Sequence, residues 1–244
     1  MLKRTVDIFF SVLGLTFLSP ILIIVALIVF LQDFHNPFYI APRVGKNRKV
    51  FKMVKLRSMI VSADKSGVDS TSSDDSRITW IGKFIRKLKL DELTQLWNVV
   101  LGDMSLVGPR PNVERDVNLY TPEEFHLLDV RPGITDYSSI IFSDEGNILV
   151  GSEDPDLKYN QLIRPWKSRL GLFYIKDQNF FTDLILIILT VFSALSKKRT
   201  LLLLSKILKS RGADEKIIKI SLRNAELIPY PPPGSKEVVK SRTE

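Results

Sequence analysis

The chain has 244 residues, with 35 Lys and Arg against 27 Asp and Glu, a formal charge of +8. That length holds one principal domain with an appendage rather than two full domains, and the positive balance suits anionic partners (acidic lipid, phosphorylated small molecules, nucleic acid) without choosing among them. Cys is absent and His occurs only as His35 and His126, which excludes disulfides and thiolate metal sites and leaves little basis for a His-based one.

From Ile8 to Gln32 no residue is charged, and the run exceeds the roughly 20 apolar residues that a membrane-crossing helix needs. It is too long for a signal-peptide core and no small-residue cleavage site follows, so it reads as a membrane segment against the competing reading of a cleaved leader. Lys3 and Arg4 precede it, while Arg43, Lys46, Arg48, Lys49, Lys52, Lys55 and Arg57 follow it. Positive residues mark the cytoplasmic side, so a simple span would put one basic cluster on the wrong side. Ser19-Pro20 sits at mid-segment, where proline removes a helical N–H and leaves the Thr16 carbonyl without its usual donor, with the Ser19 hydroxyl in reach to compensate. A re-entrant helix-break-helix satisfies both signals, each half reaching roughly 18 Å. A kinked spanning helix is the alternative reading of the same features.

Residues Phe38 to Met59 are extended and basic in character and predict a short strand pair. Val61 to Ser76, VSADKSGVDSTSSDDS, has almost nothing to bury and predicts a mobile loop, whose plainest role is that of a linker. Ile78, Ile81, Phe84, Ile85 and Leu88 then define one face of a basic amphipathic helix bearing Lys83, Arg86, Lys87 and Lys89. Leu93, Leu96, Trp97, Val100 and Leu101 form a second helical series ending before Gly102, with Trp97 assigned to the core. Pro109-Arg110-Pro111 fixes a rigid connection, Thr121-Pro122-Glu123-Glu124 has the form of a capped helix start, and Arg131-Pro132-Gly133 that of a turn. Leu184 to Leu195 is too short to cross a bilayer and is expected as a buried or interfacial helix. Lys197-Lys198-Arg199 follows it, Leu201 to Leu208 is expected to continue on the membrane surface, and the tail beyond Tyr230 is expected to be disordered.

The chemistry centres on Asp91 and Glu92, adjacent carboxylates where the basic helix meets the apolar one. Asp is a favoured N-cap and acidic residues suit a first helical turn, so plain capping is the competing reading. A helix start with Arg86, Lys87 and Lys89 one turn upstream also attracts phosphate. Two carboxylates beside a phosphate suit Mg²⁺, which takes one or two carboxylates together with phosphate oxygens. An Asp is already ionised at neutral pH, so it can attack phosphorus directly and split one transfer into two through an acyl phosphate.

The segment LDELTQLWNVVLGDMSLVGPRP, Leu90 to Pro111, resembles the signature of the bacterial sugar transferase family, the monotopic phosphoglycosyl transferases that transfer sugar-1-phosphate to a polyprenyl phosphate. The resemblance extends upstream through KLRSM (Lys55 to Met59), RITWIGKFIRKLKLDEL (Arg77 to Leu93) and the Ser19-Pro20 pair, and downstream through VRPGIT (Val130 to Thr135), covering about residues 1 to 195 in order. It implies that Asp91 is the nucleophile, that Mg²⁺ is held at the dyad and that Glu92 assists. It makes Arg86 and Arg110 phosphate-binding candidates, and Lys55, Arg57 and Arg131 further basic candidates for which a structural ion pair is the equal alternative. Asp103 has the plainer reading of capping the following turn. Two departures stand out: Thr94 where many members have Pro, and DYSSIIFSDEGNIL after Thr135 where many carry Gly, an aromatic-Gln-Val stretch and an Arg. The second bears on sugar identity and part of the nucleotide contact, and neither touches the dyad.

The resulting expectation is an α+β fold: a small, mostly helical cytosolic domain with a short β element, seated on the membrane by an N-terminal re-entrant segment and interfacial amphipathic helices. Its divisions are 1–36 for the membrane segment, 37–199 for the catalytic domain and 200–244 for an amphipathic, then disordered, extension. The resemblance implies UDP-sugar and undecaprenyl phosphate as substrates, undecaprenyl-diphospho-sugar and UMP as products, membrane lipid and downstream glycosyltransferases as partners, and the cytoplasmic face of the bacterial inner membrane as location. It places the reaction at the first membrane step of capsule, exopolysaccharide, O-antigen or protein-glycan assembly. Two rival classes are a catalytically silent membrane scaffold and a nucleic-acid-binding module. The second is suggested by charge alone and opposed by the apolar anchor and the lack of an aromatic-basic patch, so nucleic acid is not an expected partner.

Overall fold

The computed structural model describes residues 2–241. The apolar N-terminal run forms one helix, α1 (Leu2–Asp33), that continues through Pro20. Ser19 Oγ donates to the Thr16 carbonyl at 2.9 Å, supplying the hydrogen bond that the proline nitrogen cannot. The break expected at Ser19-Pro20 is therefore not an interruption of the helix.

Strands β1 (Phe38–Val44) and β2 (Val50–Leu56) form the anticipated antiparallel pair, in register from Phe38 opposite Leu56 to Val44 opposite Val50. Helix α2 (Trp80–Lys87) starts at Thr79, whose Oγ1 accepts from the Gly82 N–H at 3.0 Å. Gly82 lies against the Ser58 carbonyl, where a Cβ would come within 1.8 Å, so only glycine lets α2 sit this close to the exit of β2. Lys89 takes a left-handed conformation (φ 53°) and turns the chain into α3 (Leu90–Leu93), followed by α4 (Leu96–Leu101), which ends at Gly102 as expected. Leu96 and Val99 are buried while Trp97 is 51% exposed, so Trp97 is not core. It lies on the outer side of α4.

Strand β3 (Ser105–Val107) pairs in parallel with β4 (Gly133–Thr135), so the expected turn at Arg131-Pro132-Gly133 instead leads into a strand. The pairing needs Gly133, where a Cβ would lie 2.0 Å from the Gly108 nitrogen. Between them lie α5 (Glu114–Val117) and a 3-10 helix over Glu124–Asp129. Its start is a reciprocal cap: Thr121 Oγ1 accepts from Glu124 N at 3.2 Å and Glu124 Oε2 accepts from Thr121 N at 3.1 Å. The remaining helices are α6 (Tyr137–Ile141), α7 (Glu145–Ile148), α8 (Pro155–Leu162), α9 (Arg164–Asp177), α10 (Phe180–Leu195), α11 (Lys197–Ser210) and α12 (Glu215–Ser221).

The main core joins Val107, Tyr137, Ile140, Leu170, Tyr174 and Leu186 to Leu201, Leu204, Leu208 and Ile217. No packing boundary therefore falls at residue 199, and the buried face of α11 belongs to the domain rather than to a membrane surface. The tail also differs from the expected disorder. Tyr230 stacks on Trp166 with ring centroids 4.5 Å apart, Arg169 donates to the Pro231 carbonyl at 2.8 Å, and Gln161 Nε2 donates to the Val239 carbonyl at 2.9 Å. Proline costs this segment little conformational entropy, so a few carbonyl contacts suffice to dock it.

Both ends of α1 engage this same domain. Near the start, Asp7 is buried and accepts from Ser105 Oγ at 2.8 Å and Leu106 N at 3.2 Å. Arg4 donates to the Val99 and Val100 carbonyls, and Lys3 pairs with Asp183. Near the finish, Val25 and Val29 pack against Leu56, Ile81 and Ile85, and Arg57 holds Asp33. The outer face of α1 (Phe9, Phe17, Ile23, Leu27), the outer face of α10 (Phe181, Val191, Leu195), Trp80 and Phe84 on α2 and Leu88 just after it remain exposed. Exposed apolar surface on this scale marks contact with another phase or partner.

Candidate active site

Asp91 and Glu92 lie in the first turn of α3, but the cap position is held by Lys89 and no side chain caps this helix. The capping role that Asp91 could have had is thus not used. Helices α3 and α4 are stitched to β2: Thr94 Oγ1 donates to the Val54 carbonyl at 3.0 Å, and Asn98 Oδ1 accepts from Val54 N at 2.9 Å. Thr94 therefore contributes a bond to the strand that a proline could not, and the stitching brings Lys55, the next residue on β2, against the dyad.

Glu92 Oε1 accepts from Arg110 Nη2 at 2.7 Å. Arg110 lies between Pro109 and Pro111, which stiffen the backbone on either side of it. Burial raises the Asp91 pKa above the ordinary carboxylate value, against the opposing charges of Lys55, Arg86 and Arg110. A buried, more basic carboxylate is a better nucleophile once ionised. Burial would raise Glu92 as well, but the charges of Arg110, Lys89 and Lys55 outweigh it and bring that pKa to about 2. The Glu92 charge raises Arg110, whereas burial, aided by the Arg110 charge, lowers Lys55 to about 8. One carboxylate is thus locked as an ion pair and its neighbour is not.

The structure brings together Asp91, Glu92, Lys55 and Arg110, with Arg86, partly buried on the last turn of α2, acting on Asp91 through its charge. It does not bring Arg57 there: that guanidinium is bound by Asp33 and by the Asn36 carbonyl. Arg131 is exposed and donates to the Gly102 carbonyl at 2.9 Å. Arg57 is thus engaged with the end of α1, and Arg131 with the end of α4. Asp103 accepts from Asn98 Nδ2 at 3.3 Å, and Ser19 and Pro20 lie within α1, on the membrane segment.

Sequence reasoning missed Arg43 and the pair Glu145–Lys167. Arg43 on β1 has its pKa lowered by burial and feels the Arg110 charge. Glu145, at the start of α7, is paired with Lys167 of α9, and both Arg110 and Glu92 act on its carboxyl. Spacing along the chain gives no signal for a pair contributed by two separate helices. The acidic loop is likewise tied in rather than loose: Asp156 accepts from Ser70 N at 2.6 Å, Ser73 N donates to the Gly146 carbonyl at 3.0 Å, and Arg77 donates to the Val68 carbonyl at 3.0 Å.

Among the described residues no group of three or more acidic or His side chains gathers for a cation. Asp91 and Glu92 would be the protein donors for one at this site, and two adjacent carboxylates fit a divalent ion that draws its other ligands from phosphate and water.

The bacterial sugar transferase family model matches residues 1–197. The chain is 30% identical over 193 residues to the UDP-N-acetylgalactosamine-undecaprenyl-phosphate N-acetylgalactosaminephosphotransferase of Aeromonas hydrophila, covering 78% of this chain and 43% of that protein. It is 36% identical over 196 residues to the undecaprenyl-phosphate glucose phosphotransferase of Komagataeibacter xylinus, covering 78% of this chain and 35% of that protein. It is 30% identical over 206 residues to the exopolysaccharide production protein ExoY of Rhizobium meliloti, covering 78% of this chain and 84% of that protein. The chain thus spans less than half the length of the first two and most of the third.

Proposed function

The chain belongs to the bacterial sugar transferase family, and from that premise we propose that it transfers a sugar-1-phosphate from a UDP-sugar to undecaprenyl phosphate, giving undecaprenyl-diphospho-sugar and UMP. The observation that carries this reading is the buried Asp91 carboxylate beside the Glu92–Arg110 ion pair and Lys55. A phosphate site of this kind needs cations to draw in a diphosphate and an ionisable oxygen to attack it. The names of two relatives supply the acceptor, undecaprenyl phosphate, and differ in the sugar.

In the first step an Asp91 carboxylate oxygen attacks the sugar-bearing phosphorus. The bond to the UMP oxygen breaks, and UMP leaves with the electron pair. In the second step an undecaprenyl phosphate oxygen attacks the same phosphorus and the Asp91 carboxylate departs. Lys55 and Arg110 neutralise the phosphate oxygens, and Arg110, fixed by Glu92, orients them. A Mg²⁺ held by Asp91 and Glu92 would screen the charge between nucleophile and diphosphate.

The acceptor's phosphate lies at headgroup level, so the domain works at the membrane surface. Its two-ended attachment to α1 supports the re-entrant reading: Lys3 and Asp33 both bind side chains of this one domain, so both ends of α1 belong on its side of the bilayer, the cytoplasmic face by the positive-inside rule. The lipid product would pass to downstream glycosyltransferases.

The test is the purified full chain in detergent with undecaprenyl phosphate, Mg²⁺ and a panel of UDP-sugars, reading UMP release and lipid-linked sugar. Lipid-linked product with at least one donor is expected. No product with any donor would leave a membrane scaffold as the better reading.

A further inference from the structure

The first two turns of α1 carry three charged side chains, Lys3, Arg4 and Asp7. Charge balance accounts for the two basic residues as a topology signal, but not for Asp7, a carboxylate buried where the apolar helix begins. Such a group is tolerated only where its oxygens are met by donors. For Asp7 these are the Ser105 hydroxyl at 2.8 Å and the Leu106 N–H at 3.2 Å, both on β3. Lys3 Nζ reaches the same strand and donates to the Val107 carbonyl at 3.2 Å.

Arg4 turns to a different neighbour. Helices α3 and α4 run on into each other, since Thr94 and Gln95 between them keep helical backbone angles, so one helical run leads from the dyad to Leu101. Its last turn leaves carbonyls short of helical donors. Arg4 Nη1 donates to the Val99 carbonyl at 2.6 Å and Nη2 to the Val100 carbonyl at 3.0 Å, while Arg131 Nε donates to the Gly102 carbonyl at 2.9 Å. A rigid fork on two successive carbonyls fixes both the height of the helix and its rotation, which a single ammonium does less well. Further along α1, Gly14 lies so near α4 that a Cβ there would come within 3.1 Å of Leu96 Cδ1.

The two grips fall on the two arms of the reaction site. The helical run starts with Asp91 and Glu92, and β3 leads through Gly108 and Pro109 to Arg110. The arms close on each other at the Glu92–Arg110 ion pair, 2.7 Å. Residues 91–110 therefore form a loop of chain whose far end is fastened to the start of the membrane helix. We infer that Arg4 and Asp7 are positioning residues for phosphate transfer, Arg4 setting where the dyad stands and Asp7 where Arg110 stands. This rests on the transferase reading and adds to it a role for the membrane segment's own side chains. A reacting group displaced by about 1 Å loses about a hundredfold in rate, so the seat of α1 is part of the site's geometry.

The experiment uses the full chain in detergent and compares parent, Arg4→Gln, Arg4→Lys, Asp7→Asn and Ser105→Ala. It reads UMP release from UDP-sugar and Mg²⁺ without lipid acceptor, the affinity for UDP, the melting temperature and, with Leu2→Cys in sealed vesicles, the labelled side. Arg4→Gln should lower the rate at saturating donor by about tenfold or more with UDP affinity unchanged, and Arg4→Lys should recover part of that rate. Asp7→Asn should act on the other arm and weaken UDP binding by about tenfold, the scale of one hydrogen bond to a charged group. Ser105→Ala removes one partner of Asp7 without altering α1 and should shift UDP affinity the same way by less. All variants should label on the parent's side. A lower melting temperature with parent rate and UDP affinity per folded molecule overturns the inference and leaves the two residues as fasteners of the fold. Losses that appear only with a change of labelled side, or that Arg4→Lys does not relieve at all, also overturn it. A parent protein that releases no UMP with any UDP-sugar overturns the transferase reading instead.

Discussion

Arg57, the residue after β2, grips both carboxylate oxygens of Asp33, the last residue of α1, at 2.5 and 2.6 Å. The same guanidinium donates to the Asn36 carbonyl at 2.8 Å. One side chain therefore fixes the angle at which the membrane helix rejoins the domain, two residues from Lys55 in the site. Removing the carboxylate leaves a buried guanidinium without its counter-charge. Asp33→Asn should cost about 1–3 kcal/mol, below the penalty for a fully buried pair, because Asp33 keeps 27% of its side chain exposed.

The pair also predicts a pH signature. Its hydrogen bonds to Arg57 hold the Asp33 pKa at about 2, down from 3.8. A depressed carboxylate pKa contributes stability that is fully present above the unfolded value and lost as pH falls through the folded one. The gap in melting temperature between parent and Asp33→Asn should thus hold steady from neutral pH to about pH 4 and close between about 4 and 2. Melts of the detergent-solubilised proteins read this directly, and an equal gap at both ends of the range would remove the ion-pair account.

Topology is open to chemical labelling, since the chain has no native Cys and Leu2 and Ile40 are both exposed. Single Leu2→Cys and Ile40→Cys proteins in sealed vesicles should react with a membrane-impermeant maleimide from the same side. Pro20→Leu restores the missing N–H and removes the ring's clash with the preceding turn. That change should move part of the population to a spanning arrangement, seen as opposite-side labelling. Opposite sides in the parent would remove the re-entrant reading and leave the reaction untouched.

The loop at 61–76 should respond to donor. It is tied at Ser70 by Asp156, at Ser73 by Gly146 and at Val68 by Arg77. A segment so attached can close over a ligand without large motion and exclude water from the reaction. Amide exchange at Val68 to Ser73 is expected to slow when saturating UDP-sugar and Mg²⁺ are added. Exchange that does not change would make this loop a tethered linker only.

What the sequence made legible follows from how local each signal is. The β1–β2 pair, the basic helix and the stop at Gly102 are written in short-range alternation, periodicity and a glycine, and all three appear. The dyad and Arg110 stood out because their residues lie in one continuous stretch. For Arg57 and Arg131 the sequence left a phosphate contact and an ion pair equally open, since what a guanidinium meets depends on chain folded from elsewhere. Glu145 and Lys167 were invisible for the same reason. Trp97 was assigned inward by helical spacing, but a helix that borders a membrane surface has two apolar sides, and periodicity does not say which of them faces protein.

The dyad gives the sharpest expectation. Asp91 is buried and caps nothing, while Glu92 is locked to Arg110, so the two carboxylates should differ in what their loss does. Asp91→Asn removes the attacking oxygen with little change in shape, and turnover should fall about a thousandfold or more while the melting temperature holds. Glu92→Gln should cost activity and also stability, because it leaves Arg110 partly buried without its partner. Given UDP-sugar and Mg²⁺ but no lipid acceptor, the parent should release up to one equivalent of UMP and gain the mass of a sugar phosphate on the peptide containing Asp91. Acid quenching preserves an acyl phosphate long enough for intact-mass and peptide measurements. If Asp91 merely shaped the helix start, the pattern would reverse: about 1 kcal/mol of stability lost and turnover per folded molecule retained. Well-folded Asp91→Asn that still transfers at the parent rate would refute the nucleophile assignment, and the attacking oxygen would then have to come directly from the acceptor phosphate in a single displacement.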